Sequence, residues 1–296
     1  MPSCLKPGLK PITAVVAILV LTIGCTVQLA YMNLDRLVIR WVDDKVDLNA
    51  EQKRLVRRAL DDNLSWHCAD HLPQYAAMLN SLGDDLNDDR IDVATMVSYS
   101  EQVTQFGQEL IEVSIEPATQ LLASLDERQV EHLFLSFEES NEELLERLGE
   151  ADVEKTQTDR AERMTRRLSR FMGRLNRQQL ARLSQWSVDY QPIDGHQLAY
   201  AHQWQTQLKE ALALRHDQPD EFAQSIAVLF EPTRGWDDSY RQAVEANQAL
   251  TFEAIADVLN LATDRQKDRL MAKLGGYASD FDALTCSVPE QLAALD

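Results

Sequence analysis

The chain has 296 residues, of which 48 are acidic and 29 are basic, and its net charge is −19. This excess of acid argues against a nucleic-acid-binding protein, because phosphate recognition requires clustered Lys and Arg. Only 10 Gly and 9 Pro occur, and these are too few for the turns of a many-stranded protein. We therefore predict an all-α fold, a multi-helix bundle.

The first 24 residues have the organisation of a signal peptide. Lys6 and Lys10 precede an apolar run, residues 11–24, that is shorter than the roughly 20 apolar residues of a membrane-spanning helix. The run ends at Gly24-Cys25 and resembles the bacterial lipobox, although Thr22 stands where that motif usually has Leu. The pattern predicts removal of residues 1–24 and lipidation of Cys25, so that acyl chains such as palmitate hold the protein on a membrane.

The residue after Cys25 bears on the location. In the lipoproteins that the site resembles, Asp at this position is an inner-membrane retention signal, and here it is Thr26. The resemblance therefore implies the periplasmic leaflet of the outer membrane of a Gram-negative bacterium. Removal of residues 1–24 takes away two lysines and no acid, which changes the net charge to −21. Because anionic lipid repels such a surface, anchoring is expected to depend on the acyl chains.

Two of the four cysteines remain once Cys4 leaves with the signal peptide and Cys25 is lipidated. An oxidising periplasm favours a disulfide between Cys68 and Cys286, and the alternative is a pair of buried free thiols. The bridge would tie the C-terminal tail, residues 284–296, to an early helix.

A helix start recurs four times. An Asn, Asp or Thr is followed three residues later by Gln, which predicts a capping box with reciprocal side-chain and backbone hydrogen bonds. Apolar residues at helical spacing follow each start. The four pairs are Asn49 with Gln52, Asp126 with Gln129, Asn176 with Gln179, and Thr263 with Gln266.

The spacing of these starts suggests an internal duplication. Gln52 and Gln179 are 127 residues apart, and Gln129 and Gln266 are 137 apart. We therefore predict two related helical halves, at 49–172 and 173–283, after a lipid-attached linker and amphipathic helix at 25–48. The alternative is that local capping physics produced the motifs without common ancestry.

Two prolines predict further helix boundaries. Pro73 and Pro117 suit the first turn of a helix, which would separate 49–71 from 73–82 and 92–113 from 117–124.

Glutamates in 138–146 and arginines in 160–170 predict a long charged helical hairpin with complementary faces.

The N-terminal third contains a set of residues that together form a recognisable pattern: Tyr31, Asp35, Leu37, Trp41, Asp43, Asp44, Val46, Leu48, Gln52, Trp66, His67, Leu72, Pro73 and Tyr75. With these residues, this third resembles an uncharacterised family of Gram-negative lipoproteins. That family has a lipobox, Trp-x-Asp-Asp, an Asp-Leu-x-x-x-Gln helix start and Trp-His followed by Leu-Pro-x-Tyr. A looser similarity is to small periplasmic helical stress and chaperone proteins with Leu-Thr-x-x-Gln motifs. The first resemblance implies no activity, since the family is of unknown function.

Evidence for chemistry is sparse. His67 and His71 are one helical turn apart, a spacing that lets two imidazoles face one metal ion. The simpler interpretation is a pair of polar residues at a helix end before Pro73. No nucleophile motif, phosphate loop or dinucleotide fingerprint is present, so we predict neither an enzyme nor a cofactor.

The sequence as a whole predicts a lipid-anchored, periplasm-facing helical protein that acts without catalysis. Its partner would be an unidentified periplasmic protein or envelope component, bound in a protein-binding or chaperone-like role. Tyr31, Leu34, Leu37 and Trp41 would form an amphipathic helix that packs on the body or lies at the bilayer interface. The alternative function is a metal-dependent envelope enzyme with its site near His67 and His71.

Overall fold

The structure is a computed structural model that describes residues 26–88, 91–149 and 152–286. These residues form eleven α-helices and no strand, which confirms the all-α prediction. The predicted signal peptide, Cys25 and residues 287–296 of the tail lie outside the described residues. The helices are α1 (Thr26–Tyr31), α2 (Leu34–Val46), α3 (Ala50–Asn87), α4 (Val93–Ala123), α5 (Glu127–Gly149), α6 (Val153–Met172), α7 (Arg177–Asp189), α8 (Asp194–Leu214), α9 (Pro219–Leu229), α10 (Asp238–Asn260) and α11 (Asp264–Leu284).

The longest helix, α3, continues through Pro73, and α4 continues through Pro117. The helix boundaries predicted at both prolines were therefore wrong. A proline inside a helix removes one backbone hydrogen bond, but tertiary packing stabilises a helix more than local propensity does. Leu72 and Ala76, on either side of Pro73, are buried and hold this part of α3 in the core.

Two apolar cores share α3. The first contains the C-terminal half of α3 and parts of α6, α7, α10 and α11, with Leu72, Leu183 and Leu274 buried at its centre. The second contains the start of α3 and parts of α2, α5, α8 and α9, with Phe222 and Ile226 almost fully buried. Segments from both sides of residue 172 thus contribute to each core. The domain boundaries drawn from the sequence stay a prediction.

All four capping boxes form, and their glutamines pair. The side-chain amides of Gln52 and Gln129 exchange two hydrogen bonds, of 2.9 and 2.8 Å, and each oxygen also accepts the backbone N–H of its own cap residue. Gln179 and Gln266 pair in the same way, at 3.4 and 3.0 Å. The pairs thus join the starts of α3 and α5 and those of α7 and α11. Their equivalent construction is consistent with the duplication hypothesis, which stays a prediction.

The charged helices α5 and α6 do not form the predicted complementary hairpin. α5 packs along α2 and α8, whereas α6 packs along α7 and α11. No ion pair joins α5 to α6 within the described ranges, and Arg166 pairs with Glu162 of its own helix. Exposed ion pairs contribute little stability, so the apolar stripes of the two helices determine their neighbours. Phe137 of α5 faces the second core and Met172 of α6 faces the first.

The predicted amphipathic helix divides into α1 and α2. α1 contacts α11 and buries Val27, and α2 buries Ile39 and Val46 in the second core. None of the helices in residues 26–88, 91–149 and 152–286 combines the length and the apolar character needed to cross a bilayer.

Candidate functional site

The two predicted metal-site histidines lie inside the protein. His67 and His71 are on one face of α3, with 4% and 1% of their surfaces exposed. The simpler interpretation, polar residues at a helix end, was therefore wrong, because α3 continues for four more turns beyond them. Buried imidazoles require hydrogen-bond partners, and both have them.

A continuous chain of hydrogen bonds passes through these histidines. Tyr31 Oη lies 3.0 Å from His67 Nδ1, and Tyr75 Oη lies 3.2 Å from His67 Nε2. The same Tyr75 hydroxyl lies 3.1 Å from His71 Nδ1, and His71 Nε2 lies 2.7 Å from a carboxylate oxygen of Glu109. We call Tyr31, His67, Tyr75, His71 and Glu109 the buried polar network. It connects α1, α3 and α4.

The carboxylate end fixes the direction of every bond when both histidines are neutral. Ionised Glu109 only accepts, so His71 donates from Nε2 and accepts at Nδ1. Tyr75 then donates to His71 and accepts from His67 Nε2. His67 Nδ1 is left as an acceptor for the hydroxyl of Tyr31. Each ring nitrogen and hydroxyl group in the network thus has partners with complementary donor or acceptor roles.

The network also accommodates one added proton without moving a heavy atom. When His71 Nδ1 is protonated, it donates to Tyr75, whose hydroxyl then donates to His67 Nε2. His67 changes tautomer and donates from Nδ1 to Tyr31. The Tyr31 hydroxyl turns to the backbone carbonyl of Leu64, which lies 3.4 Å away. The geometry therefore supports two complete patterns that differ by one proton.

The surroundings disfavour charge at the centre of the network. Burial, reinforced by the charge of His71, lowers the pKa of His67 from 6.5 to about 4. Burial raises the pKa of Tyr31 to about 12 and raises that of Tyr75 as well. Hydrogen bonds from Gln105 and His71 lower the pKa of Glu109. Aromatic rings that pack on the network come from Trp66, Phe106 and Phe281.

The arrangement does not have the features of a metal centre. All four imidazole nitrogens have protein partners, and the Tyr75 hydroxyl bridges His67 Nε2 and His71 Nδ1. Within the described ranges, no group of three or more His, Cys, Asp or Glu side chains is placed to hold a metal ion. The chemistry that the geometry supports is proton transfer along the network, with Glu109 as the end nearest to solvent.

A disulfide lies beside the network. Cys68, the residue after His67, is bonded to Cys286, just beyond α11, with a Cα–Cα distance of 5.2 Å. The backbone N–H of Cys286 also donates to the carbonyl of Cys68 at 3.2 Å. The bond holds the end of α11 against α3, where Phe281 packs on Tyr75.

The other candidate site is an open cleft between α4 and α10, of about 360 Å³. Gln105 lines it and also donates to Glu109 at 2.9 Å, so the cleft adjoins the buried polar network. Gln248 of α10 donates across the cleft to Ser100 at 3.1 Å. The wall carries amides, hydroxyls, carboxylates and apolar groups but no basic side chain. Its lining residues are Val97, Ser100, Glu101, Thr104, Gln105, Gln108, Glu245, Gln248, Ala249 and Phe252.

The sequence signalled part of the network. Tyr31, His67 and Tyr75 belong to the motifs that carry the lipoprotein resemblance, and the four-residue spacing of His67, His71 and Tyr75 places them on one helix face. No pattern indicated Glu109, because its contact with His71 depends on how α4 packs on α3. The cleft was likewise not predicted.

The fold and these sites define an all-α protein with a buried Tyr–His–Glu network and an acidic surface cleft. Residues 44–241 match the model of a family described as "Family of unknown function (DUF6279)", and the chain belongs to that family. No curated protein and no solved structure matches the chain.

Proposed function

We propose that this chain is a non-enzymatic protein, anchored by lipid on Cys25 to the periplasmic leaflet of the outer membrane, that binds an extended segment of another protein. The cleft between α4 and α10 is the observation that carries the binding proposal. The signal-peptide pattern that ends at Cys25 carries the anchoring proposal.

The chemistry of the cleft suits a peptide with basic residues. Glutamine amides can donate to and accept from a peptide backbone, and Val97 and Phe252 offer apolar contact. Glu101 and Glu245 supply negative charge on opposite walls, and α4 contains no Lys or Arg. A basic, extended segment complements these groups better than an acidic one.

Site-specific photo-crosslinking in intact cells tests the binding proposal. A photoreactive residue at Gln108, in the cleft, is expected to capture a protein partner. The same residue at Asp268, an exposed position on α11, serves as the control and is expected to give no such adduct. Equal capture at both positions would show nonspecific contact.

Charge reversal distinguishes recognition by the cleft from general stickiness. Glu101→Lys with Glu245→Lys is expected to abolish the adduct at residue 108. Glu112→Lys with Glu253→Lys makes the same charge change at exposed positions outside the cleft and is expected to preserve it. If both double variants lose the adduct, partner capture depends on the net charge of the protein and not on the cleft.

A chaperone-like role predicts that the protein protects other proteins from aggregation. The protein should suppress aggregation of denatured basic clients at stoichiometric ratios, and the two lysine substitutions in the cleft should remove this effect. If denatured clients aggregate equally with and without the protein, the chaperone role is wrong, while binding of one specific partner remains open to the crosslinking test.

Anchoring is tested by the processing of the chain. Globomycin, which blocks lipoprotein signal peptidase, is expected to cause an unprocessed precursor to accumulate. Cys25→Ala should abolish incorporation of a labelled fatty acid. Normal processing in the presence of globomycin would contradict the lipoprotein assignment.

A further inference from the structure

The first two helices and the turn between them expose several large apolar side chains. Leu29 is 59% exposed, Met32 is 73% exposed, and Leu37 and Trp41 are each 55% exposed. All four lie within a short stretch of chain. Single exposed apolar residues are ordinary, whereas adjoining ones, such as Leu37 and Trp41 one turn apart on α2, mark a candidate interaction surface.

Helix α2 is docked on the body by its other side. Ile39 and Val46 are buried in the second core, so the exposure of Leu37 and Trp41 does not result from an unpacked helix. Leu37 and Trp41 are one turn apart, and the exposed arginines Arg36 and Arg40 lie beside them at the same spacing. We call Leu29, Met32, Arg36, Leu37, Arg40 and Trp41 the exposed α1–α2 face.

The charge of this face differs from that of the molecule. The chain carries −19, yet Arg36 and Arg40 point outward here and form no ion pair within the described ranges. Three acids lie on α2: Asp35 is half-buried, Asp43 is paired with Lys53, and Asp44 is exposed one turn beyond Arg40. Local attraction to an anionic surface is thus compatible with repulsion of the protein as a whole.

Residue types and position in the chain both indicate a bilayer as the occupant. Tryptophan prefers the level of the lipid headgroups, and arginine extends its charged end toward phosphate while its aliphatic stem covers apolar surface. The apolar run at residues 11–24 and Cys25 immediately precede α1. Wherever that segment is held in a membrane, α1 and α2 are the next part of the chain.

We propose that the exposed α1–α2 face lies in the headgroup region of the bilayer, with Leu29, Met32, Leu37 and Trp41 inserted and Arg36 and Arg40 bound to anionic lipid phosphates. This inference rests on the proposed lipid anchor and adds an orientation: the protein is held flat at α2 instead of moving freely on its tether.

Quenching of tryptophan fluorescence by brominated lipids tests this contact. The full chain with its lipid anchor is added to phosphatidylcholine vesicles that contain phosphatidylglycerol, with and without bromine on the acyl chains. We expect bromine to quench part of the emission in the parent protein, and Trp41→Phe to lose that part. The other four tryptophans provide the unquenched background.

A matched pair of charge reversals tests the arginines. Arg36→Glu with Arg40→Glu is expected to lower the quenching of Trp41, and to lower it more in anionic than in neutral vesicles. Arg163→Glu with Arg167→Glu changes two exposed arginines at the same spacing on α6 and is expected to leave it unchanged. An equal loss in both double variants would overturn a specific role for Arg36 and Arg40.

Flotation of the vesicles separates the possible failures. If the protein floats with the vesicles but bromine quenches the parent and Trp41→Phe equally, the membrane-contact proposal is wrong while anchoring stands. Capture of a second protein by a crosslinker at residue 41, without quenching, would identify the face as a protein interface and also overturn the proposal. If the protein does not float, both anchoring and the contact are wrong.

Discussion

His71 Nε2 lies 2.7 Å from the carboxylate of Glu109 and joins the middle of α3 to α4. The imidazole is 1% exposed and the carboxylate is 34% exposed, so this pair connects the buried polar network to solvent. Its geometry is that of a charge-assisted hydrogen bond, and ionised Glu109 sets the donor and acceptor roles from His71 to Tyr31.

Removal of the charge on Glu109 should weaken the protein. Glu109→Gln keeps an acceptor for His71 but loses the carboxylate, and we expect a loss of unfolding free energy of about 1–2 kcal/mol. Urea denaturation at pH 7 measures this change. Glu112→Gln, an exposed position on the same helix, is the matched control. Equal effects of the two substitutions would show that His71 gains nothing from the charge.

The depressed pKa of His67 predicts acid sensitivity. The pKa is 6.5 in the unfolded chain and about 4 in the folded protein, so between these values only the unfolded state binds the proton. The contribution of His67 is complete above pH 6.5, falls with decreasing pH, and amounts to a loss of about 3 kcal/mol at pH 4. Urea denaturation from pH 7.5 to pH 4 measures the slope.

His67→Gln should remove this dependence, since glutamine does not titrate. The free energy of unfolding of that variant is expected to fall less between pH 6.5 and pH 4 than that of the parent. His132→Gln replaces an exposed histidine and should keep the parental slope. If the free energy of unfolding of His67→Gln has the parental slope with pH, groups other than His67 cause the acid sensitivity.

The paired glutamines should be coupled in stability. Gln129→Ala removes the partner of Gln52 and leaves the Asp47 carbonyl and the Asp126 N–H without their bonds, at a cost of about 3 kcal/mol. A double-mutant cycle with Gln52→Ala is expected to show a coupling energy of about 0.5–3 kcal/mol. Gln178→Ala, at an exposed position, is the control. Additive effects would refute direct coupling.

Loss of the disulfide should destabilise the folded state. The Cys68–Cys286 bond joins positions 218 residues apart, for which loop-closure entropy gives an upper value of about 5 kcal/mol. Cys68→Ala with Cys286→Ala, or added reductant, should lower the denaturation midpoint. Reductant should have no effect on the double variant. If Cys68 and Cys286 of the parent protein are alkylated without prior reduction, they are free thiols, and the disulfide assignment is wrong.

Local patterns predicted several features that the structure confirms. The capping boxes and the helical content depend on contacts within a few residues, and the sequence contains those directly. The same local reasoning failed at Pro73 and Pro117, where tertiary packing keeps the backbone helical on both sides of the proline. It also failed for the charged hairpin, because screened surface charges do not determine which helices become neighbours.

The sequence by itself determined the helix starts, the acidity of the molecule and the four-residue spacing of His67, His71 and Tyr75 along α3. Tertiary structure alone decided that Glu109 meets His71, that Gln52 pairs with Gln129, and that α4 and α10 form a cleft. These features depend on which apolar faces share a core. Sequence periodicity shows that a helix has an apolar face, but several helices here have similar faces. Only the packed bundle fixes which of them come together.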